Sequence, residues 1–146
     1  MKNWYEKLAF FNQSGDIRQL ITHYTNIYGL LHHILEGKNE SLFCQYVAQK
    51  KVSGAAICYI MKFGNFSKAQ LQQLHGIVSY LLFQGNMIKR ALRVVEEGLS
   101  YYPLDSELLS NKGCILLALQ QKAMAKETFL KIENPSPEVQ KILGQL

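Results

Sequence analysis

Apolar positions along this chain recur at steps of three and four almost from end to end, and nowhere do they alternate one in two. That spacing gathers apolar side chains on one face of a 3.6-residue helix, whereas a half-buried strand needs a period of two. From Asp16 onward, Ile17, Leu20, Ile21, Tyr24, Tyr28, Leu31 and Leu35 share such a face. Asp16 is placed to cap this helix, since its carboxylate can accept from the free amides of the first turn, and Gly37 is placed to end it. A shorter amphipathic piece carrying Trp4, Leu8 and Phe11 precedes it. After Lys38 the predicted helices shorten and alternate with turns at 52–54, 64–67, 84–87, 103–105 and 120–122. All three prolines lie at or after position 103, and none interrupts a predicted helix interior. The fold class this pattern specifies is all-α.

The chain also repeats itself. "ALRVVEEGLSYYP", from Ala91 to Pro103, is followed 34 residues later by "AKETFLKIENPSP", from Ala125 to Pro137. The same offset pairs Val78 with Lys112, Ser79 with Gly113, Leu82 with Leu116, Val95 with Phe129 and Gly98 with Ile132. Small residues at Ser79, Gly113, Ala91 and Ala125 let the two helices of a pair approach closely, while Leu82, Leu116, Val95 and Phe129 fill the space between them. Pro103 ends one helix and sets the turn into the next. A looser copy lies 35 residues upstream, with Phe43, Cys44, Val47, Ala56 and Ile60 in equivalent positions.

A helix-turn-helix period of 34 residues resembles that of the tetratricopeptide repeat family. The resemblance rests on Val78, Ser79, Leu82, Ala91, Val95, Gly98 and Pro103, then on Leu109, Gly113, Leu116, Ala125, Phe129 and Pro137. His75 and Lys112 stand where the family prefers apolar residues, Ile132 replaces a small one, and the turn glycine Gly85 comes one residue early. The expected architecture is a single domain, 1–146, built as a short α-solenoid. One or two N-terminal helices occupy 1–37, about three repeat-like helix pairs occupy 38–137, and a capping helix closes it over 138–146. Ser136 as N-cap and Pro137 in the first turn mark the start of that last helix.

Composition changes this picture only at the surface. Apolar residues make up 48% of the 146 positions and charged ones only 18%, which suggests an apolar surface that expects a partner. The net charge of +5 is spread over single or paired basic residues such as Lys50-Lys51 and Lys89-Arg90, without the basic stripe of a nucleic-acid binder. Cys44, Cys58 and Cys114 form no metal or redox spacing and read as buried thiols of a reducing compartment. Glu6 and Lys7 interrupt the apolar start that a signal peptide requires. The longest apolar run, Ala55 to Met61, is far short of the roughly 20 residues that cross a bilayer, so no stable membrane insertion is expected. These features imply a cytoplasmic protein.

Candidate chemistry is sparse. His32 and His33 are neighbours on a helix, so their rings diverge and cannot converge on one metal. Glu96 and Glu97 diverge in the same way and do not form an acid–base pair. Cys114 has no nearby group to lower its pKa. With no nucleophile, metal or phosphate motif, the sequence reads as a non-enzyme without cofactor.

The repeat resemblance instead implies a concave partner-binding surface lined by the first helix of each pair. Carried over position by position, that lining comprises Gln45, Ala48 and Gln49; then Gln73, Gly76, Tyr80, Phe83 and Gln84; then Ser110, Cys114, Leu117 and Ala118. Aromatic, aliphatic and amide groups with little charge suit an amphipathic helix. Small repeat proteins with such a lining resemble the type III secretion chaperones, above all the needle-subunit chaperones of the YscG type. That resemblance implies two partners, the helical needle subunit and a small co-chaperone. The translocator chaperones of the SycD type, and a scaffold whose groove is filled by its own N-terminal helices, are the alternatives.

Overall fold

A computed structural model describes residues 17–146, with side chains from position 22 onward. The expected helix around Trp4, Leu8 and Phe11, the Asp16 cap and the side chains of Ile17, Leu20 and Ile21 lie outside the described residues. Among the described residues the fold is all-helical: α1 (Ile17–Leu35), α2 (Glu40–Lys50), α3 (Gly54–Phe63), α4 (Lys68–Gln84), α5 (Ile88–Tyr101), α6 (Ser106–Ala118), α7 (Lys122–Leu130) and α8 (Pro137–Gln145). The breaks fall at the turns that the sequence pattern predicts. No described helix is long and apolar enough to cross a membrane.

Local chemistry fixes these boundaries. Gly37 adopts φ 74°, and the amides of Gly37 and Lys38 bond back to the carbonyls of Ile34 and His33, so that α1 ends in a Schellman turn. Ser53, Asp105 and Ser136 each cap a helix by accepting from the amide three residues on. Before α4, Ser67 and Gln70 bond reciprocally, each side chain to the other's amide, forming a capping box. Helices α2, α4 and α6 end alike. Val52 N–H bonds to Val47, Met87 to Leu82 and Gln121 to Leu116, with a left-handed Lys51, Asn86 or Gln120 just before the donor. In the middle turn the left-handed residue is thus Asn86 and not the neighbouring Gly85.

The chain divides into two compact units, Met1–Leu71 and Gln72–Leu146. In the first, α1 packs on α2 and α3. Its core is Ile27, Leu31 and Ile34 of α1, Phe43 and Val47 of α2, Val52, and Ala56, Ile57, Ile60 and Met61 of α3. This rotates the inner face of α1 from the expected row. Leu31 is shared, but Tyr24, Tyr28 and Leu35 are only half-buried. The reason is polar: a tyrosine keeps its hydroxyl near the rim, where it can find a partner. Tyr24 donates to the Phe63 carbonyl, and Tyr28 packs its ring against Tyr24, His32 and Phe66.

In the second unit α6 packs on α5 and α7, and α8 closes against α7. Leu109, Leu116, Ala125, Phe129, Ile132 and Val139 form one buried cluster. Ser79, Ala91, Gly113 and Ala125 are all buried, as their expected role between helices requires. A Cβ at Gly113 would lie only 2.3 Å from Phe129 Cε1, so α6 meets the Phe129 ring across bare backbone. His75, where an apolar residue was expected, is buried at 2% exposure. Its Nδ1–H donates to the Val94 carbonyl at 3.0 Å, and Gly98 leaves room for its ring.

Candidate functional site

In the first unit a groove of about 370 Å³ lies between α1 and α2. Asn26 and Leu30 line it from α1, and Leu42, Gln45, Tyr46 and Gln49 from α2. The α2 residues follow steps of three and four, so the helical repeat alone puts them on one face. Asn26 Nδ2 donates to the Tyr46 hydroxyl at 3.1 Å, and that hydroxyl lies 2.6 Å from His23 Nδ1. Because the oxygen accepts from Asn26, its own proton is available to the His23 nitrogen, and the ring of Tyr46 is held edge-on to His23. Leu42 remains 51% exposed at the apolar end of the groove. The wall is therefore half apolar and half amide, held by side-chain hydrogen bonds.

Two of the sequence-predicted site residues, Gln45 and Gln49, line this groove, and Ala48 is exposed beside them. Leu30, Leu42, Asn26 and Tyr46 were not among the expected residues. Leu42 and Tyr46, four residues apart on the same helix as Gln45 and Gln49, are the two that helical spacing could have found.

In the second unit the expected residues fare differently. On α4, Gln73, Tyr80 and Gln84 are exposed and Phe83 is half-buried, with Tyr80 at 49%. Gly76 is buried, and a Cβ there would come within 2.9 Å of the Glu107 carboxyl carbon. Its carbonyl accepts from both Asn111 Nδ2 and Ser79 Oγ. On α6, Cys114 and Leu117 are half-buried against the Leu116–Phe129 cluster, Ala118 is exposed, and Ser110 is half-buried. Ser110 lines a smaller cavity of about 250 Å³ with Ser106, Glu107, Ile132, Asn134, Ser136 and Val139. Partial burial, reinforced by Asp105, pushes the Glu107 carboxyl above its usual range.

The remaining titratable groups are dispersed. His32 is half-buried against Phe66 and Tyr28, whereas His33 is exposed and accepts from the Asn39 amide. Glu96 is exposed, while Glu97 is half-buried with Arg93 4.0 Å away. Burial pushes the Cys114 thiol up, and burial together with Glu40 does the same to Cys44, which keeps both sulfurs protonated and weakly nucleophilic. Among the described residues no three His, Cys, Asp or Glu side chains come together as a metal site.

No protein-family model matches the chain, and neither a curated protein nor a solved structure matches it.

Proposed function

We propose that this chain works by binding, as a tetratricopeptide-like protein of stacked helix pairs that covers an amphipathic helix of an assembly-prone secretion subunit. The partner class is the type III needle subunit, with a small co-chaperone as a second partner. One observation carries the reading: α2 and α4 each hold a large apolar side chain out in solvent, Leu42 at 51% and Tyr80 at 49% exposure, and Leu42 stands beside the amides of Gln45 and Gln49. Such side chains cost little in a complex and are a liability alone. The like endings of α2, α4 and α6 at Lys51, Asn86 and Gln120 support a repeated helix pair as the building unit. Within the second unit, half-buried Phe83 and Leu117 supply further apolar area for a partner helix.

The test is co-expression of the full chain with a needle subunit, followed by size-exclusion chromatography. A soluble complex of fixed stoichiometry is expected, and Tyr80→Glu should disrupt it while far-UV circular dichroism stays unchanged, because Tyr80 supports no core. Leu117→Glu is a poorer probe, since Leu117 packs against the second unit's core. A needle subunit that stays insoluble, or a complex indifferent to Tyr80→Glu, would count against the proposal.

A further inference from the structure

In the second unit the chain lays the helix that directly precedes α5 against both α5 and α6. On the α5 side, His75 of α4 donates to the Val94 carbonyl, and Gly98 leaves room for its ring. On the α6 side, Asn111 donates to the Gly76 carbonyl and the Ser79 hydroxyl, Glu107 covers Gly76, and Gln72 bonds to Asp105. The first unit repeats the underlying pair. Residues 36–39 join α1 to α2 as residues 102–105 join α5 to α6. Helices α2 and α6 also end in the same turn, with the carbonyls of Val47 and Leu116 as its acceptors. That shared turn puts Leu42 in register with Asn111, and Gln45 and Gln49 in register with Cys114 and Ala118. Glu107, Asn111, Cys114 and Ala118 follow steps of four, three and four, so the face that α6 turns to α4 is the one that α2 turns to the groove. The α1/α2 groove is thus the counterpart of the surface that α4 covers, and Leu42 stands in it 51% exposed.

We infer that the occupant of the α1/α2 groove is the chain's own segment 4–11, which precedes α1 as α4 precedes α5. Trp4, Leu8 and Phe11 fall at steps of four and three, the spacing of one apolar helix face. Gln13, Ser14, Gly15 and Asp16 then supply turn-forming residues ahead of Ile17. The lengths agree with a fold back along α1. At 1.5 Å per residue Asn26 lies about 13 Å along α1 from Ile17, and a helix over residues 4–11 is about 10 Å long. An indole offers an apolar body and one N–H donor, which suits a wall of Leu30 and Leu42 beside the amides of Asn26, Gln45 and Gln49. A short tether also holds the segment at an effective concentration on the order of millimolar, so a few apolar contacts suffice to seat it. The inference stands apart from the secretion reading. A partner helix that reached Leu42 would first have to displace this segment.

Trp4 is the single tryptophan of the chain, so its fluorescence reports on this segment alone. In the full chain its emission is expected to lie to the blue of the urea-unfolded chain and to be shielded from acrylamide. Leu42→Glu should shift the docking equilibrium about tenfold or more toward the free segment, the worth of one buried leucine. The readout is a red shift of the emission and a rise in acrylamide quenching. Leu8→Glu should do the same from the segment's side, whereas Tyr80→Glu, in the second unit, should leave Trp4 unchanged. A cooperative urea transition by circular dichroism shows that each variant is folded. A parent Trp4 as red and as quenchable as in the unfolded chain would overturn the inference. So would a shielded Trp4 that ignores Leu42→Glu, or one that responds equally to Tyr80→Glu. An emission that reddens on dilution would overturn it too, because the segment would then come from a second copy. If Trp4 is free while the needle-subunit complex forms and remains sensitive to Tyr80→Glu, this inference falls and the proposed function stands. If Trp4 responds as expected and no needle subunit is captured, the secretion partner falls and this inference stands.

Discussion

Replacing Gly113 by alanine sets two known effects against each other within the second unit. In an open helix the change is favourable by about 1 kcal/mol, since alanine loses less backbone entropy than glycine. At Gly113, however, the new methyl carbon would lie 2.3, 2.4 and 2.7 Å from three atoms of the Phe129 ring. Carbon atoms rest at about 3.5–4.0 Å, so the ring must retreat by roughly 1 Å or more. Phe129 has no exposed surface and is enclosed by Leu109, Leu116, Ala125, Ile132 and Val139, leaving it nowhere to go without displacing a neighbour. Overpacking of this kind costs about 1–3 kcal/mol. Three contacts below 3.0 Å against a ring place it at the upper end, so the net expected loss is about 2 kcal/mol. Urea unfolding followed by circular dichroism at constant slope reads this directly. Gly29, with nothing within 4 Å of its notional Cβ, is the internal control and should gain about 1 kcal/mol on substitution by alanine. A third variant decides the cause. Gly113→Ala combined with Phe129→Leu should be less damaging than the two changes summed, by about 1 kcal/mol or more. Strict additivity, or a Gly113→Ala protein as stable as Gly29→Ala, would refute the close approach as the reason for glycine.

Other expectations follow from the same contacts. Burial holds the pKa of His75 down, against the opposing pull of the Val94 carbonyl and Glu97. The unfolded chain then takes up a proton near pH 6.5 that the folded chain refuses, so stability should fall as pH drops below about 6.5 and level off beneath the folded pKa. Urea midpoints on either side of that pH should converge in His75→Leu relative to the parent. Asp105→Ala removes the acceptor for the Leu108 amide and should cost about 1 kcal/mol by thermal melting. Gln120→Gly relieves a side chain held at φ 61° and should stabilise the chain by up to about 1 kcal/mol, where Gln120→Val should destabilise it.

How far the sequence led depends on which interaction decided each feature. Helix ends were legible because they are set within a few residues: Gly37, Ser136 and Pro137 act where the pattern placed them. The turn after α4 was less so, because a left-handed position tolerates asparagine as well as glycine, and Asn86 took the place beside Gly85. The inner face of α1 was misread by treating tyrosine as wholly apolar. Its burial moved to Ile27, Leu31 and Ile34 once the Tyr24 hydroxyl had claimed the Phe63 carbonyl. For the candidate site, Gln45 and Gln49 emerged from repeat register alone. Leu30 and Asn26 did not, since they reach the groove only through the packing of α1 on α2, which no local spacing encodes. Gly76 was placed on the surface by register, and the Glu107 carboxylate that covers it comes from a helix some thirty residues later.

The hydrogen bonds around Gly76 limit the kinds of motion open to the second unit. Asn111 of α6 spends its amide on the Gly76 carbonyl and the Ser79 hydroxyl of α4, while Gln72 and Asp105 join the same two segments a turn or so away. Translating one helix past the other by a turn, about 5.4 Å, would break all of these at once and strand a buried carbonyl. The contact is therefore a clamp and not a rail: it holds α4 and α6 to one register, and a slip to a second would cost every one of these bonds together.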